Sequence, residues 1–428
     1  MNIYFSGIGG VAIGPLAEIA RDAGHTVCGS DTTAGLMTER LEREGVVVHI
    51  GIQDGTFLRA QHEAQAIDLV VYTAALPADH PELVAARELG VRTCKRDELL
   101  AEIIREKDLK LIAVAGTHGK TTTTGMMVWA MKQLGIPVSY SVGTTLSWGP
   151  SGYFDPESEY FVYECDEFDR NFLQFEPFLS IITAIDYDHP DTYPTEESYR
   201  AAFVQFMEQS TSSLLWEKDL RYLKHPDIPA SYQAFDELMD LSHIALAGTH
   251  TRQNAFLVEQ AVTKLLGSEV ADSARAAIND FPGTARRFEK LGEQLYSDYG
   301  HHPTEIKATL QMAREVSDYV VLVYQPHQNV RQHEIIEQYT PEVFADADKI
   351  YWVPTYLSRE NPELEVLTPR QLSARLDSAR VHFAEMDDAL AAELQRHRDA
   401  GHLVLCMGAG TIDEWVRGAD LSAYTNKR

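Results

Sequence analysis

Long apolar runs are missing: nothing in the 428 residues approaches the ~18–20 consecutive apolar residues of a membrane span. A basic leader followed by an apolar stretch is missing too. MNIYFSGIGG runs straight into a strand pattern, so no secretory signal is expected. Cysteine is scarce, with Cys28, Cys94, Cys165 and Cys406 scattered and no CxxC pair among them. That argues against a disulfide framework or a thiolate metal cluster and fits reduced thiols in a cytoplasm. Basic residues are few beside acidic ones, 37 against 64, for a net charge of -27. Such a body repels phosphate backbones and anionic lipid, so neither a nucleic acid nor a membrane is expected as partner. Any phosphate it handles must sit in a pocket whose own groups override that field. No repeat of fixed period and no low-complexity tract is present.

What is there is an alternation. NIYFSGI, DLVVYTA, KLIAVAG, YFVYE, LSIITAI, DYVVLVY, KIYWV and HLVLCMG read as buried strands, and amphipathic stretches such as LVAARELG and ATLQMAREV lie between them. This is the βαβ rhythm of parallel sheets covered by helices on both faces. Seams are expected near residues 105–110, at REKDLK, and near residue 290, where EQLYSDYG starts a fresh strand. The fold class is therefore α/β in three consecutive domains, 1–106, 107–290 and 291–428.

The first strand opens into GIGGVAIGPLAE, in which Gly7, Gly9 and Ala12 fit G-x-G-x-x-G/A and Gly10 and Gly14 add freedom. Glycine there lets a diphosphate approach the amides of a helix N-terminus. Ser30 and Asp31, in CGSD, end the second strand, and an acid about 20 residues after such a loop commonly meets a ribose. The pattern does not separate NAD from other nucleotides, and it also suits a bare βα turn.

AGTHGKTTTTGMMVWAMKQLG is sharper: a buried strand, a glycine loop with Lys-Thr, then a long helix. The amides of Gly116, Thr117, His118, Gly119, Lys120, Thr121 and Thr122 would face phosphates, Lys120 would neutralise their terminal oxygens, and Thr121 could hold Mg2+. ATP binding follows. Downstream, YFVYECDEFDRNF ends a strand at Glu164, with Asp166, Glu167 and Asp169 beyond, and LSIITAIDYDHP ends another near Asp186, Asp188 and His189. Ligands of open parallel sheets bind outside the carboxyl ends of strands, so Glu164 and His189 are expected beside Mg2+ or Mn2+, ahead of the other carboxylates. Later come His250 and Asn254 on a helix start, the pair Arg286 and Arg287, and LYSDYGHHPTEI with Asp298, His301 and His302. No HExxH spacing supports zinc there. VYQPHQNVRQHE adds His327 and Arg331, and MGAG adds Gly408 and Gly410.

Taken in order, GIGGVAIGPLAE with GSD, AGTHGKTTTT, ECDEFDRNFL, the DH of DYDHPDTY, GTARRFEKLG, SDYGHHPTEI, QPH and MGAG resemble the Mur ligases, the ATP-dependent amide-forming family of peptidoglycan synthesis. The resemblance runs over most of the chain. It implies a Rossmann-like N-terminal domain for the UDP part of the substrate (Gly7, Gly9, Gly10, Ser30, Asp31), a central P-loop ATPase-like parallel sheet, and a Rossmann-like C-terminal domain that closes and helps recognise the amino acid. It further implies UDP-N-acetylmuramate as the acid and L-alanine as the amine, with ATP and Mg2+. By position, Lys120 would hold phosphates, and Thr121, Glu164 and His189 the metal. Asn254 would lie on the adenine side, Arg287 and Asp298 would meet the nucleotide, and His301 and Arg331 would face the reaction centre. The state expected is monomer or homodimer.

The chain also departs from the family. The stretch from Tyr193 to Gly248 is short, so part of the central domain's peripheral sheet is expected to be missing. Thr251, Gln328, the run Tyr356, Leu357, Ser358, Arg359, Glu360, and Thr411 replace usual residues. These changes spare the ATP motif and bear on the amino acid, so a relative using another amino acid or a murein peptide stays open. A non-catalytic ATP-binding paralogue and an NAD-dependent oxidoreductase are the remaining alternatives. The last leaves GTHGKT unexplained.

Overall fold

The computed structural model describes residues 1–11, 13–73, 76–225, 228, 231–358 and 360–419. Ala12 of the first glycine loop and Arg359 of the altered run therefore lie outside the described residues. The chain forms two compact units, Met1–Asp240 with Asn254–Phe281, and Leu241–Gln253 with Pro282–Arg428.

The first unit holds two sheets. One is built from β1 (Asn2–Ser6), β2 (Thr26–Asp31), β3 (Val47–Ile50), β4 (Leu69–Tyr72) and β5 (Arg92–Lys95), in the order β3-β2-β1-β4-β5. All its pairings are parallel, and the strand order reverses beside β1, where the first glycine loop emerges. The other comprises β6 (Lys110–Ala115), β7 (Val138–Ser141), β8 (Gly152–Tyr153), β9 (Tyr160–Glu164), β10 (Leu179–Ile182), β11 (Ser213–Trp216) and β12 (Tyr232–Phe235). Its order is β12-β11-β10-β6-β9-β7-β8, parallel except for β8 against β7. Central β6 is apolar because helices cover both faces, so no polar alternation is needed. The register sets Val114 opposite Glu164 and Ala115 opposite Ile182, so three loops start at one height around the end of β6.

The expected seam at residue 107 falls between these sheets but inside one unit. A continuous apolar cluster joins Ile3, Phe5 and Leu99 to Leu111, Phe161 and Phe172. In the second unit, β13 (Glu289–Gly292), β14 (Leu295–Asp298), β15 (Val320–Tyr324), β16 (Lys349–Trp352), β17 (Val381–Phe383) and β18 (Leu403–Met407) form a sheet ordered β13-β14-β18-β15-β16-β17. The strand expected in EQLYSDYG is the second arm of a hairpin, because β13 precedes it and pairs antiparallel with β14. Among the described residues no helix is long and apolar enough to cross a membrane.

Candidate active site

The phosphate loop spans Gly116–Gly119, between β6 and the helix Lys120–Gln133. Gly116 has φ +130°, and a Cβ there would lie 2.4 Å from Thr183 Oγ1 and 2.7 Å from the Ala184 carbonyl. Gly119, at φ +85°, would bring a Cβ to 2.4 Å from Asn254 Nδ2. Both positions need glycine, and the second sets Asn254 directly against the loop. Thr123 and Thr124, both buried, donate their hydroxyls back to the carbonyls of Gly119 and Lys120, at 2.8 and 2.9 Å, so neither hydroxyl is offered to a ligand. Thr123 N donates to Gly119 O at 3.0 Å, so the amides ahead of it in the first turn, of Lys120, Thr121 and Thr122, are the ones without an intrahelical acceptor. One amide expected to face phosphate is already taken: Thr117 N donates to Ala184 O at 2.8 Å. The Thr117 hydroxyl is 2.7 Å from Tyr199 Oη and donates to Asp186 O at 2.8 Å, tying the loop to the Asp186 segment. His118 Nε2 lies 3.7 Å from Asp186 Oδ2.

Lys120 Nζ donates to Gly116 O at 2.7 Å and to Glu167 Oε2 at 2.8 Å, with Asp166 Oδ1 at 3.9 Å. Burial alone would lower the pKa of this ammonium, but Glu167 and Asp166 raise it, so Lys120 stays cationic. The Thr121 hydroxyl donates to Glu164 Oε1 at 2.8 Å, and the Gly143 amide donates to Glu164 Oε2 at 3.1 Å. His189, with φ +57°, brings Nε2 to 3.7 Å from Glu167 Oε1 and packs edge-on against Phe168.

The expected metal set, Thr121, Glu164 and His189, is thus divided. Thr121 meets Glu164, whereas His189 groups with Asp166 and Glu167, whose ligand atoms lie within 4.8 Å of one another. Glu167, ranked behind Glu164 on sequence, is fully buried, and its Oε1 has no hydrogen-bond partner. A buried, unbonded carboxylate oxygen beside a second carboxylate and an imidazole suits a divalent cation such as Mg2+ or Mn2+.

At the first glycine loop, Gly7 N and Ile8 N donate to Ser30 O at 2.8 and 2.9 Å, Gly10 N donates to Gly7 O at 3.0 Å, and Gly9 N donates to Asp31 Oδ2 at 2.8 Å. Ser30 departs from expectation. It is buried, and its hydroxyl donates to Glu82 Oε1 at 2.6 Å and accepts from Gln53 Nε2 at 2.9 Å. Tyr4 and Ser6 also donate to Glu82, so the Ser30 side chain belongs to a polar cluster inside the domain.

In the second unit Asp298, at the end of β14, accepts from Phe288 N and Gly300 N, each at 2.7 Å. Burial raises its pKa, and Arg287 and these amides oppose that. Arg286 and Arg287 both stack on Tyr299, at 4.7 and 5.0 Å from the ring centre. His301 Nε2 accepts from Arg331 Nη1 at 2.8 Å, and burial lowers the pKa of the imidazole, keeping it neutral against the pull of Glu305. His327, 5.6 Å from His301 and stacked on Tyr356, is pushed down to about 4 by burial first and then by the neighbouring His301 and Arg331. Thr411, where the family usually has an acid, accepts from Gln325 Nε2 at 3.2 Å. Asp413, two residues on, accepts from Ser297 at 2.6 Å and lies 3.7 Å from Arg286 Nε.

Three family models match the chain. They are the Mur ligase family catalytic domain over residues 2–108, the Mur ligase middle domain over 114–225, and the Mur ligase glutamate ligase domain over 286–410. UDP-N-acetylmuramate–L-alanine ligases of Geotalea daltonii and Myxococcus xanthus are each 32% identical over 96% of this chain, and the match covers 95% and 93% of their lengths. A crystal structure of a UDP-N-acetylmuramate-alanine ligase from Thermotoga maritima matches with a TM-score of 0.74 at 23% identity over 100% of both chains. A murein peptide ligase from Psychrobacter arcticus matches with 0.65 at 22%, also over 100% of both. At those identities the two structures speak for the fold.

Proposed function

This chain belongs to the Mur ligase family, and on that premise we propose that it joins L-alanine to UDP-N-acetylmuramate with consumption of ATP. The observation that carries the reading is the grouping of Lys120, Thr121, Glu164, Glu167 and His189 around one phosphate loop. The substrate carboxylate attacks the γ-phosphorus, the bond to the bridging oxygen breaks, and ADP leaves behind an acyl phosphate. The free amine of alanine then attacks the acyl carbon, loses a proton, and phosphate departs from the tetrahedral intermediate. Both steps gather negative charge on oxygen, which a fixed cation in an enclosed site stabilises.

In this reading Lys120 exchanges its contacts with Gly116 and Glu167 for terminal phosphate oxygens, and first-turn amides hold the remaining oxygens. Asn254, against Gly119, limits where the nucleotide can lie. Mg2+ would be held by Thr121 with Glu164 and by His189 with Glu167, and when bound it neutralises charge on the phosphate oxygens. Asp31 and the Gly7–Gly10 loop receive the UDP part. The second unit supplies the roles implied for Arg287, Asp298, His301 and Arg331, with neutral His301 held in place by the bond from Arg331 to its Nε2. We infer a cytoplasmic place of action, where ATP and nucleotide sugars are found.

The test is phosphate release from ATP by the purified protein with Mg2+, with and without UDP-N-acetylmuramate, across a panel of L-alanine, glycine, L-serine and murein tripeptide. Release should need both co-substrates and be fastest with L-alanine. A preference for the tripeptide would select the sister activity. ATP turnover indifferent to UDP-N-acetylmuramate would overturn the ligase reading.

A further inference from the structure

The carboxyl end of β5 runs into the helix Arg96–Glu106, whose first residue no motif marks out. One edge of the Arg96 guanidinium is fixed. Nε lies 3.3 Å from Asp97 Oδ1, and Nη2 lies 3.0 and 3.1 Å from the two Asp97 oxygens. Asp97 is 4% exposed, and Tyr163, on β9 of the neighbouring sheet, donates its hydroxyl to Oδ1. Two sheets thus hold this guanidinium through one buried carboxylate. A fork bonded along one edge keeps its remaining donors for a second anion.

Beside it opens a cavity of about 200 Å³, bounded by Val11 of the first glycine loop, by Gly143, and by Glu164 and Asp166. Arg96 is the sole cation among the residues that line it. The cavity therefore connects the end of the glycine loop to Glu164, which Thr121 ties to the phosphate loop. A substrate anchored at the glycine loop by its nucleotide would reach the phosphate loop along this line. Its carboxylate then passes Glu164 and Asp166, two like charges, and needs a positive group held ready.

We propose that Arg96 binds the carboxylate of the nucleotide-sugar acid on its way to the phosphate loop, with Asp97 as a positioning residue. The proposal rests on the ligase reading above and adds to it the group that recognises the acid. It also gives the Asp97–Tyr163 bond a purpose beyond packing, since it orients the fork before substrate arrives.

The experiment is calorimetric titration of the full-length protein with UDP-N-acetylmuramate and, separately, with UDP-N-acetylglucosamine, the same nucleotide sugar without the lactyl carboxylate. Arg96→Gln should weaken binding of the first at least ~10-fold, as loss of a charge-assisted contact does, and change the second less than about twofold. Arg96→Lys should recover part of the loss, Asp97→Asn should fall between, and KM for ATP should stay at the wild-type value in all three. Unchanged binding of UDP-N-acetylmuramate by Arg96→Gln overturns the proposal. Equal losses for both ligands overturn it too, since they would assign Arg96 to the diphosphate or to the fold. Should Arg96→Gln fail to fold, Arg96→Lys gives the same two-ligand comparison, and equal effects there overturn it as well. Failure of the ligase reading shows separately, as wild-type phosphate release that ignores UDP-N-acetylmuramate.

Discussion

Two strand–glycine loop–helix turns lie in the same unit, and their difference is instructive. At the end of β1 the loop is nearly self-sufficient, with Gly7 and Ile8 bonded to Ser30 O and Gly9 to Asp31. Its sequence, GIGGVAIG, carries no charge. At the end of β6 the loop carries Lys120, and the flanking strand ends bring Glu164, Glu167 and His189 to it. Glycine provides close access in both. What separates a turn suited to holding a nucleotide from one suited to moving a phosphoryl group is the set of charges that neighbouring strands deliver.

The comparison can be broken first at the metal. A chelator should abolish activity, and Mg2+ or Mn2+ should restore it; activity that survives chelation would remove the metal role of Thr121, Glu164, Glu167 and His189. Next, Lys120→Ala should fold normally by circular dichroism and lose at least ~100-fold in kcat, a cationic transition-state contact commonly contributing a few kcal/mol. Turnover near wild type would erase the distinction between the loops. At the first loop effects should be smaller. Asp31→Ala frees the Gly9 amide and removes one charge-assisted bond, so KM for UDP-N-acetylmuramate should rise roughly 10-fold with kcat little changed. A fall in kcat alone would show that this loop also takes part in the chemistry.

The smallest effect concerns the helix after each loop. The helix Lys120–Gln133 contains no acidic residue, whereas Ile13–Asp22 buries Glu18, 2% exposed, with Arg40 Nε 2.8 Å from one oxygen and no hydrogen bond to either. Burial pushes the Glu18 carboxyl up to about 7, against Arg40. A raised folded-state pKa means that stability is fullest below the ordinary carboxyl range and declines as pH climbs through 7. Glu18→Gln should therefore raise the melting temperature by about 1–3 °C at pH 8 and by less at pH 5. Parallel melting profiles would show that Glu18 is compensated.

The parts legible in sequence were those written contiguously. The apolar runs announce β1, β6, β9 and β18, and GTHGKT announces Lys120 and Thr121, because strand, loop and helix follow each other along the chain. Glu164 is legible as the end of such a run. Glu167 is harder, because ECDEFD offers several acids and only the turn after it, with Asp169 and Arg170 both at positive φ, decides which one points inward. Ser30 misled for a related reason: its hydroxyl partner, Glu82, is 52 residues away. The Asp97–Tyr163 bond, across 66 residues, leaves no local signature at all. Pairings between distant segments are set by how sheets pack, which no short window of sequence contains.

Cys28, Cys94, Cys165 and Cys406 are all buried, and burial raises the pKa of each thiol. Thiols kept protonated and out of solvent react slowly with maleimides. A cysteine introduced on an exposed helix of each unit would thus accept a dye without any native cysteine being removed first. Fluorescence energy transfer between two such labels can then follow the spacing of the units through a turnover, in a chain otherwise unchanged.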